Sequence, residues 1–459
     1  MASAKLTKIE SYLVPGKRVH LIGIGGVSMR PLGLVLAGMG LVITGSDMNA
    51  SVSTDELIAK GIQVHIGHRA ENIGNADCII RTAAVHNDNP EIAAARAKGI
   101  PVFERAQAWG VIMRAYRNAI CISGTHGKTT TTAMVTHIFM QAQRDPTVMI
   151  GGYLPLLKAG HRVGGGDTII MESCEYCNSF LNFFPTIAVV MNVEADHLDF
   201  FKDLADVQKS FRAFASLVPE SGCVLANGDD ACTRDTLKDM DYITFGIAKA
   251  NTYHGENFSE DWRDFDLVAE GKTVCHIHLN VFGRHNAINA IAAATVALQL
   301  GIDPADIAAG LESFTGAGRR MEYKGTYNGA KIYDDYAHHP GELHALIDSL
   351  QTMGYERIVL AFQPHTYTRT HALFHDFVKE LKRVDQPVLA EIYAAREKNT
   401  IGISSEDLAK EIRGSVFFET LPEVADYLRS IAQPGDLIVT VGAGDIYKAG
   451  EMMLQNPQS

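Results

Sequence analysis

The stretch Ile122-Ser-Gly-Thr-His-Gly-Lys-Thr-Thr130 joins an apolar strand pattern, Asn118-Ala-Ile-Cys-Ile122, to a long helical pattern. At such a turn, backbone N–H groups and the helix N-terminus can hold a polyphosphate. Lys128 is expected to reach the outer phosphates, and the hydroxyl of Thr129 is expected to bind magnesium. The spacing differs from the standard phosphate-binding loop, because Ile122 stands where that loop has its first glycine. A structural glycine turn with a chance lysine is the alternative.

Two candidate magnesium ligands follow strand patterns of the same domain. Glu172 comes directly after Thr168-Ile-Ile-Met171, and His197 lies just past the strand expected over residues 187–193. The carboxyl ends of neighbouring parallel strands meet at one edge of a sheet, where ligands bind. Taken separately, Glu172 would be a helix-entry charge and His197 a loop histidine. Their shared position after strands favours metal binding.

Strand patterns alternate with helical patterns along the chain, which predicts parallel sheets and an α/β fold. A chain of 459 residues is expected to form two or three domains. We predict a Rossmann-like domain over residues 1–107, a central P-loop-type ATPase domain with a mixed sheet over 108–313, and a C-terminal Rossmann-like domain over 314–459. Residues 253–279 alternate without a helical pattern, which predicts antiparallel strands.

A second glycine loop, Gly23-Ile-Gly-Gly26, follows the first strand pattern of the chain. Asp47 ends the next strand pattern about twenty residues later, as in a dinucleotide-binding fingerprint. That fingerprint is incomplete, because Ser28 stands where its last glycine is expected. Taken alone, the loop favours a nicotinamide oxidoreductase. The alternative without a binding role is that Asp47 is a capping or turn residue.

Charge and composition exclude several classes of partner. The net charge is −12 and no run of Lys and Arg occurs, so no nucleic-acid partner is expected. No apolar segment has the length of a membrane span, which predicts a cytoplasmic protein without membrane insertion. The seven cysteines are odd in number and scattered from Cys78 to Cys275, which does not indicate a disulfide framework. Zinc is disfavoured at Cys174-Glu-Tyr-Cys177 and at Cys275-His-Ile-His278, because structural sites take four ligands.

The chain resembles the Mur ligase family, which includes the folylpolyglutamate synthetases. The resemblance lies in Gly124-Thr-His-Gly-Lys-Thr-Thr130, in Glu172 and in the segment from Asn192 to Asp196-His197. Further resemblances extend from residue 23 to residue 445 and cover essentially the whole chain. They are Gly23-Ile-Gly-Gly26, Ser179-Phe-Leu181, Glu194-Ala-Asp-His-Leu198, Gly283-Arg-His-Asn-Ala-Ile-Asn-Ala290, Asp334-Asp-Tyr-Ala-His-His-Pro340, Phe362-Gln-Pro-His365 and Gly442-Ala-Gly-Asp445.

The resemblance implies three sets of binding residues. The ATP set is Gly124, Thr125, His126, Gly127, Lys128, Thr129, Thr130, Asn192, Asn286, Asn289, Arg319 and Asp334, with Thr129, Glu172 and His197 binding Mg²⁺. The UDP-sugar set is Gly23, Gly25, Gly26, Asp47, His68 and Arg105. The amino-acid set is Tyr336, His338, His365 and Arg369. Lys128, Glu172, His197 and His338 are the expected catalytic residues, with His338 as a candidate base.

The resemblance also implies a reaction. The markers favour a ligase that uses ATP to join L-alanine to UDP-N-acetylmuramate, acting as a monomer or homodimer, with the third domain closing over the site. A sibling that attaches a preformed tripeptide and a non-catalytic nucleotide-binding regulator are the alternatives. Two positions depart from the family pattern: Thr366 replaces an expected arginine, and Arg212 stands where some siblings carry a modified lysine.

Overall fold

The computed structural model describes residues 9–82, 85–197, 200–395 and 397–455. The chain divides into two compact units, one comprising Met1–His254 and Ala292–Gly310 and the other Gly255–Ile291 and Leu311–Ser459. Sheets with helices between their strands occur in both units, which confirms the predicted α/β class. In the part of the chain that is described, no helix combines the length and the apolar content needed to cross a membrane.

The N-terminal sheet of the first unit is wholly parallel, as expected for a Rossmann-like domain. Its strand order is β3-β2-β1-β4-β5. The strands are β1 (Arg18–Ile22), β2 (Val42–Asp47), β3 (Gln63–Ile66), β4 (Cys78–Arg81) and β5 (Val102–Glu104). The helices are α1 (Met29–Gly38), α2 (Val52–Ala59), α3 (Pro90–Ala97) and α4 (Arg105–Met113), with a 3-10 turn at Ala70–Ile73.

The central sheet is mixed, as predicted. In the first unit it runs β13-β12-β11-β10-β6-β9-β7-β8, and only the pairing of β7 with β8 is antiparallel within that order. The strands are β6 (Asn118–Ser123), β7 (Thr147–Leu154), β8 (Ala159–Arg162), β9 (Thr168–Glu172), β10 (Ile187–Val190), β11 (Cys223–Asn227), β12 (Ile243–Gly246) and β13 (Tyr253–Glu256). The helices are α5 (Lys128–Gln141), α6 (Leu204–Ala215), α7 (Ala231–Thr236), α8 (Arg284–Gln299) and α9 (Pro304–Glu312), with 3-10 segments at Pro155–Leu157 and Tyr176–Asn182.

The strands of the central sheet end slightly differently from the sequence prediction. Glu172 is the last residue of β9 rather than the residue after it, and β10 ends at Val190, three residues before the predicted end at Val193. The apolar run continues past Val190 because Met191 and Val193 are buried in the loop that follows. Burial, and not strand pairing, therefore explains why the apolar pattern extends from residue 191 to residue 193.

One buried cluster is shared by the N-terminal and central sheets. It contains Trp109 and Met113 from α4 together with Phe180 and Phe183 of the central domain. Helix α4 lies so close to this segment that a Cβ at Gly110 would be 1.9 Å from the backbone oxygen of Asn182. Gly110 is therefore required by packing.

We expect Gly110→Ala to destabilise the protein by about 2 kcal/mol, because the overpacking penalty exceeds the helix-propensity gain of about 1 kcal/mol. The thermal unfolding midpoint should fall by roughly 4–8 °C. Gly38→Ala is the matched control, since a Cβ at Gly38 meets no atom within 4 Å. An unchanged midpoint for Gly110→Ala would show that α4 does not approach the central domain this closely.

The second unit contains a six-stranded sheet of order β16-β17-β21-β18-β19-β20, in which only β16 and β17 are antiparallel. The antiparallel pairing of β14 with β15 confirms the expectation for most of residues 253–279, whereas β13 at the start of that range pairs parallel with β12. The strands are β14 (Asp264–Ala269), β15 (Lys272–His278), β16 (Glu322–Tyr327), β17 (Ala330–Asp335), β18 (Arg357–Phe362), β19 (Gln386–Ala390), β20 (Val416–Phe418) and β21 (Asp436–Val441). The helices are α10 (Pro340–Thr352), α11 (Tyr367–Ala372), α12 (Phe374–Leu381), α13 (Ser405–Glu411), α14 (Leu421–Ile431) and α15 (Tyr447–Leu454).

Candidate active site

The predicted phosphate loop lies between the end of β6 at Ser123 and the start of α5 at Lys128. Two glycines permit its path. Gly127 adopts φ 81° at the N-cap of α5, and Gly124 adopts φ 141°, where a Cβ would be 2.8 Å from the Cβ of Met191. The loop therefore brings its backbone against the residue that follows β10 and leads directly into the N-terminus of a 14-residue helix, which can hold an anion.

Side chains of the segment after β10 fix the shape of this loop. The Asn192 side chain accepts a hydrogen bond from the backbone N–H of His126 at 2.7 Å and donates to the backbone oxygen of His126 at 3.2 Å. The Thr125 hydroxyl accepts from the backbone N–H of Glu194 at 2.9 Å, and the His126 ring lies 3.3 Å from the Glu194 carboxylate. Asn192 and Thr125 thus hold the loop to the neighbouring strand end.

Lys128 is held by a buried carboxylate. Its ammonium group donates to the backbone oxygens of Gly124 and Thr125, at 2.5 and 3.0 Å, and forms an ion pair with Glu175 at 3.2 Å. The Glu175 side chain is 3% exposed. Burial alone would lower the pKa of Lys128, but the negative charge of Glu175 raises it above its ordinary value. Lys128 therefore keeps its positive charge inside the protein.

Glu175 was missed by the sequence prediction. It follows Glu172 by three residues and lies in an irregular connection, so neither strand periodicity nor a strand end marked it. The available signal is its place in Cys174-Glu-Tyr-Cys177, where a carboxylate lies between two cysteines a few residues after β9. The structure joins Glu175 to Lys128 across 47 residues of chain.

The predicted metal ligands fall into two contacting groups. The Thr129 hydroxyl donates to Glu172 at 3.0 Å, and the other Glu172 oxygen accepts from the backbone N–H of Gly151 at 2.7 Å. His197 instead lies beside Glu175, with 3.6 Å between its Nε2 and the carboxylate. His197 also has a positive φ of 53°, a conformation that is rare outside glycine and often marks functional sites. The carboxylate and hydroxyl oxygens at Glu172 and Thr129 are ligands of the kind Mg²⁺ prefers.

The first glycine loop is closed by Asp47. The Asp47 carboxylate accepts from the backbone N–H of Gly25 at 2.9 Å and from that of Asn49 at 3.4 Å. A Cβ at Gly25 would be 2.9 Å from the same carboxylate, so this glycine is required by close approach. Arg105 donates to the hydroxyl of Ser28, two residues beyond the loop. Asp47 and Arg105 therefore both contact the loop region.

His68, the remaining UDP-sugar candidate, belongs to a buried polar network around Glu91. Its Nδ1 lies 3.1 Å from the Ser46 hydroxyl and 3.4 Å from the Glu91 carboxylate. Glu91 is fully buried and accepts hydrogen bonds from Ser46 and Asn72, both at 2.6 Å. Burial raises the pKa of Glu91, but contacts from His20, Ser46 and Asn72 outweigh burial and lower it to about 2.

We expect Glu91 to stabilise the protein in a pH-dependent way. Because its pKa is lower in the folded state, the stabilisation is complete above about pH 4.5 and is lost as the pH falls toward 2. The difference between 4.5 and about 2 corresponds to ~3 kcal/mol. Glu91→Gln should therefore unfold at a lower temperature than the parent at pH 7. Its thermal unfolding midpoint should also change less than that of the exposed control Glu71→Gln as the pH is lowered. Parallel pH profiles for the two variants would contradict this role.

In the second unit, Arg319 and Asp334 form a pair. Arg319 donates from Nε to Asp334 at 2.9 Å and from its two terminal nitrogens to the backbone oxygens of Gly444 and Gly442, at 2.9 and 2.5 Å. Asp334 also accepts from the Thr440 hydroxyl at 2.7 Å, and burial raises its pKa. These contacts attach β17 to the loop after β21 and fix the orientation of the guanidinium group.

The four amino-acid candidates form one cluster in the second unit. The ring of His338 lies 5.3 Å from that of Tyr336 and 5.9 Å from that of His365, and Arg369 lies 3.4 Å from His365 Nδ1. Burial lowers the pKa of His365 to about 4, so its ring is neutral near pH 7. Tyr393, which the sequence prediction missed, stacks on His365 with 5.7 Å between ring centroids.

The two asparagines expected at the adenine lie one turn apart on α8. Asn286 donates to the backbone oxygen of Phe282 at 2.8 Å, and Asn289 donates to the Asn286 side chain at 3.5 Å. Both side chains are buried. The structure thus places them on one face of the helix, as their spacing predicts.

Comparison with known proteins agrees with this arrangement. Three family models match in chain order: the Mur ligase family catalytic domain at residues 18–117, the Mur ligase middle domain at 122–297, and the Mur ligase glutamate ligase domain at 319–444. Relatives that are more than 40% identical over nearly the full chain support the same family. The chain belongs to the Mur ligase family.

Two of these relatives are named UDP-N-acetylmuramate--L-alanine ligase. The protein from Acetivibrio thermocellus is 44% identical and the alignment covers 96% of each chain; the one from Clostridium botulinum is 43% identical, covering 95% of this chain and 97% of the relative. The crystal structure of UDP-N-acetylmuramate-alanine ligase from Thermotoga maritima matches with a TM-score of 0.80 and 28% identity, covering 95% of this chain and 98% of that one. A murein peptide ligase from Psychrobacter arcticus, with a TM-score of 0.72 and 21% identity, shares the fold.

Proposed function

We propose that this protein uses ATP and Mg²⁺ to ligate L-alanine to the lactyl carboxylate of UDP-N-acetylmuramate, giving ADP and phosphate, in the synthesis of peptidoglycan precursors. The observation that carries the proposal is near-full-length identity of 44% to a ligase of that name, in a chain whose phosphate loop contacts Glu172 and Glu175. The murein peptide ligase from Psychrobacter arcticus shares only the fold, at 21% identity, and a tripeptide-adding activity is not favoured.

The chemistry begins with an activation step. A carboxylate does not acylate an amine at neutral pH, because its oxygen is a very poor leaving group. The lactyl carboxylate oxygen attacks the γ-phosphorus of ATP, a P–O bond to ADP breaks, and an acyl phosphate forms. Lys128 and the N-terminus of α5 stabilise the negative charge of the transferring phosphoryl group. Mg²⁺, when bound, would neutralise further negative charge in this step.

Thr129, Glu172 and His197 are the proposed ligands of magnesium. The contact of Thr129 with Glu172 puts a hydroxyl and a carboxylate at the first turn of α5, next to the phosphate loop. Glu175 is proposed as the counter-ion that positions Lys128 in this loop. Asn192 shapes the loop through its hydrogen bonds with the backbone of His126. Asn286, Asn289, Arg319 and Asp334 keep the ATP-binding roles that the family pattern implies.

The second step forms the amide. The amine of L-alanine attacks the acyl carbon, the C–O bond to phosphate breaks, and the amine loses a proton. His338 is the proposed base. Its Nδ1 lies 3.0 Å from the backbone oxygen of Tyr336, a contact that assigns the proton of the neutral ring to Nδ1 and makes Nε2 the proton acceptor. Tyr336, His365 and Arg369 border the proposed amino-acid pocket.

The domain roles are part of the same proposal. Residues 1–107 bind the UDP-sugar through Gly23, Gly25, Gly26, Asp47, His68 and Arg105; residues 108–313 bind ATP; residues 314–459 bind the amino acid. The proposed boundary at 107 lies within α4. We also propose a cytoplasmic location, supported by the seven free cysteines and by the cytoplasmic supply of ATP.

A phosphate-release assay with purified protein, ATP, Mg²⁺ and UDP-N-acetylmuramate tests the function. We expect release with L-alanine that far exceeds release with glycine, L-serine or a preformed tripeptide. Faster release with the tripeptide would identify the sibling activity. No ADP with any amino acid would identify a nucleotide-binding regulator and overturn the proposal.

A further inference from the structure

Three potential ligand atoms of different elements converge beside the phosphate loop. The sulfur of Cys174, a carboxylate oxygen of Glu175 and a ring nitrogen of His197 all lie within 4.8 Å of one another. Glu175 Oε1 lies 3.6 Å from His197 Nε2. In a tetrahedral zinc site, bond lengths of 2.0–2.3 Å place neighbouring ligand atoms about 3.3–3.8 Å apart. The cluster thus needs only small side-chain movements to enclose a cation.

The chemistry of these ligands differs from that of the magnesium set. Thiolate and imidazole ligands select zinc-class cations, whereas Mg²⁺ takes oxygen ligands in octahedral geometry. We propose that Cys174, Glu175 and His197 form a binding site for a thiophilic divalent cation such as Zn²⁺. Three protein ligands leave the fourth tetrahedral position for water, as in open zinc sites. On binding, the S–H bond of Cys174 breaks, a sulfur–metal bond forms, and the proton leaves to solvent.

Fold geometry, and not sequence spacing, creates this site. Sequence spacing suggested Cys174 and Cys177 as a pair, but Cys177 is exposed and does not belong to the converging group. The third ligand comes from the loop after β10, twenty-three residues away from Cys174 in the chain. The ring of Tyr176 packs against that of His197, with 4.8 Å between centroids, and helps to hold the imidazole beside Glu175.

Occupation of this site has a consequence for Lys128. The Lys128 ammonium group donates to both Glu175 oxygens, at 3.4 and 3.2 Å. A divalent cation on Glu175 competes with Lys128 for the same carboxylate and repels its positive charge. It also withdraws His197 from the magnesium set. The site is therefore inhibitory. This consequence rests on the proposed function, but the binding of the cation does not.

Co²⁺ binding to the metal-free full-length protein tests the site without any substrate. We expect a near-ultraviolet thiolate-to-cobalt charge-transfer band that saturates at one equivalent and disappears when Zn²⁺ is added. Cys174→Ser should weaken Co²⁺ binding at least about tenfold and abolish the band. Cys177→Ser is the matched control and should retain it. His197→Gln should weaken binding while the band persists at saturation.

A second measurement does not depend on a folded variant. In the wild-type protein, Zn²⁺ should protect Cys174 from alkylation by iodoacetamide, mapped by peptide mass spectrometry, while Cys177 continues to react. Absence of a charge-transfer band, an equal band in Cys174→Ser, or equal alkylation of Cys174 with and without Zn²⁺ would overturn the site. Normal Co²⁺ binding together with no ADP formation would instead contradict the proposed function and leave the cation site standing.

Discussion

Lys128→Ala is expected to lower kcat by about 10²- to 10³-fold, the loss seen when one preorganised charge-stabilising group is removed from an active site. The reason is the position of the ammonium group on the phosphate loop, where it is retained as a cation by Glu175. Because Lys128 acts on the transferring phosphoryl group, binding of UDP-N-acetylmuramate should remain near the parent value. Phosphate release measures the first quantity and calorimetric titration the second.

The control for Lys128→Ala is Lys202→Ala, which removes an exposed lysine of the same domain. It should leave kcat unchanged. Turnover of Lys128→Ala within about threefold of the parent would refute the assignment of the loop to ATP. A large loss of UDP-sugar affinity would show instead that the substitution disturbs the fold.

Glu172→Gln is expected to produce the second large effect, a fall in kcat/KM of about 10²-fold together with at least a tenfold rise in the Mg²⁺ concentration that gives half-maximal activity. Glutamine keeps a carbonyl oxygen that can accept from Thr129, but it removes the negative charge that holds a divalent cation. Titration of activity with Mg²⁺ at saturating substrate separates the metal effect from a change in substrate binding.

Glu220→Gln, at an exposed position of the central domain, is the control for this substitution. An unaltered Mg²⁺ dependence of Glu172→Gln would remove Glu172 from the metal site. Recovery of kcat at high Mg²⁺ concentration would support the role, since mass action offsets a weakened ligand.

Much of the architecture could be predicted from local pattern. Alternation of apolar strands with helical segments indicated the α/β class, and the glycine-lysine stretch placed a phosphate loop between β6 and α5. The end of β10 could not be placed this way, because Met191 and Val193 are buried without belonging to a strand. Apolar periodicity reports burial, and strand pairing is a separate property.

The candidate site was predicted less completely than the fold. Thr129 and Glu172 could be proposed as partners because the turn after β6 and the end of the neighbouring parallel strand β9 lie at the same edge of the sheet. Glu175 and Tyr393 could not, because both lie outside regular strand or helix patterns. Their contacts with Lys128 and His365 depend on the path of irregular connections, which no periodicity encodes.

By itself, the sequence determined the order of strands and helices, the glycine turns and the charged residue on the phosphate loop. Each of these follows from steric and hydrogen-bonding preferences over a few neighbouring residues. Only the tertiary structure decided that Glu175 pairs with Lys128, that His197 lies beside Glu175, and that Glu91 is buried next to His68. These contacts join distant parts of the chain, and their distances are set by sheet register and packing, which act on the folded chain as a whole.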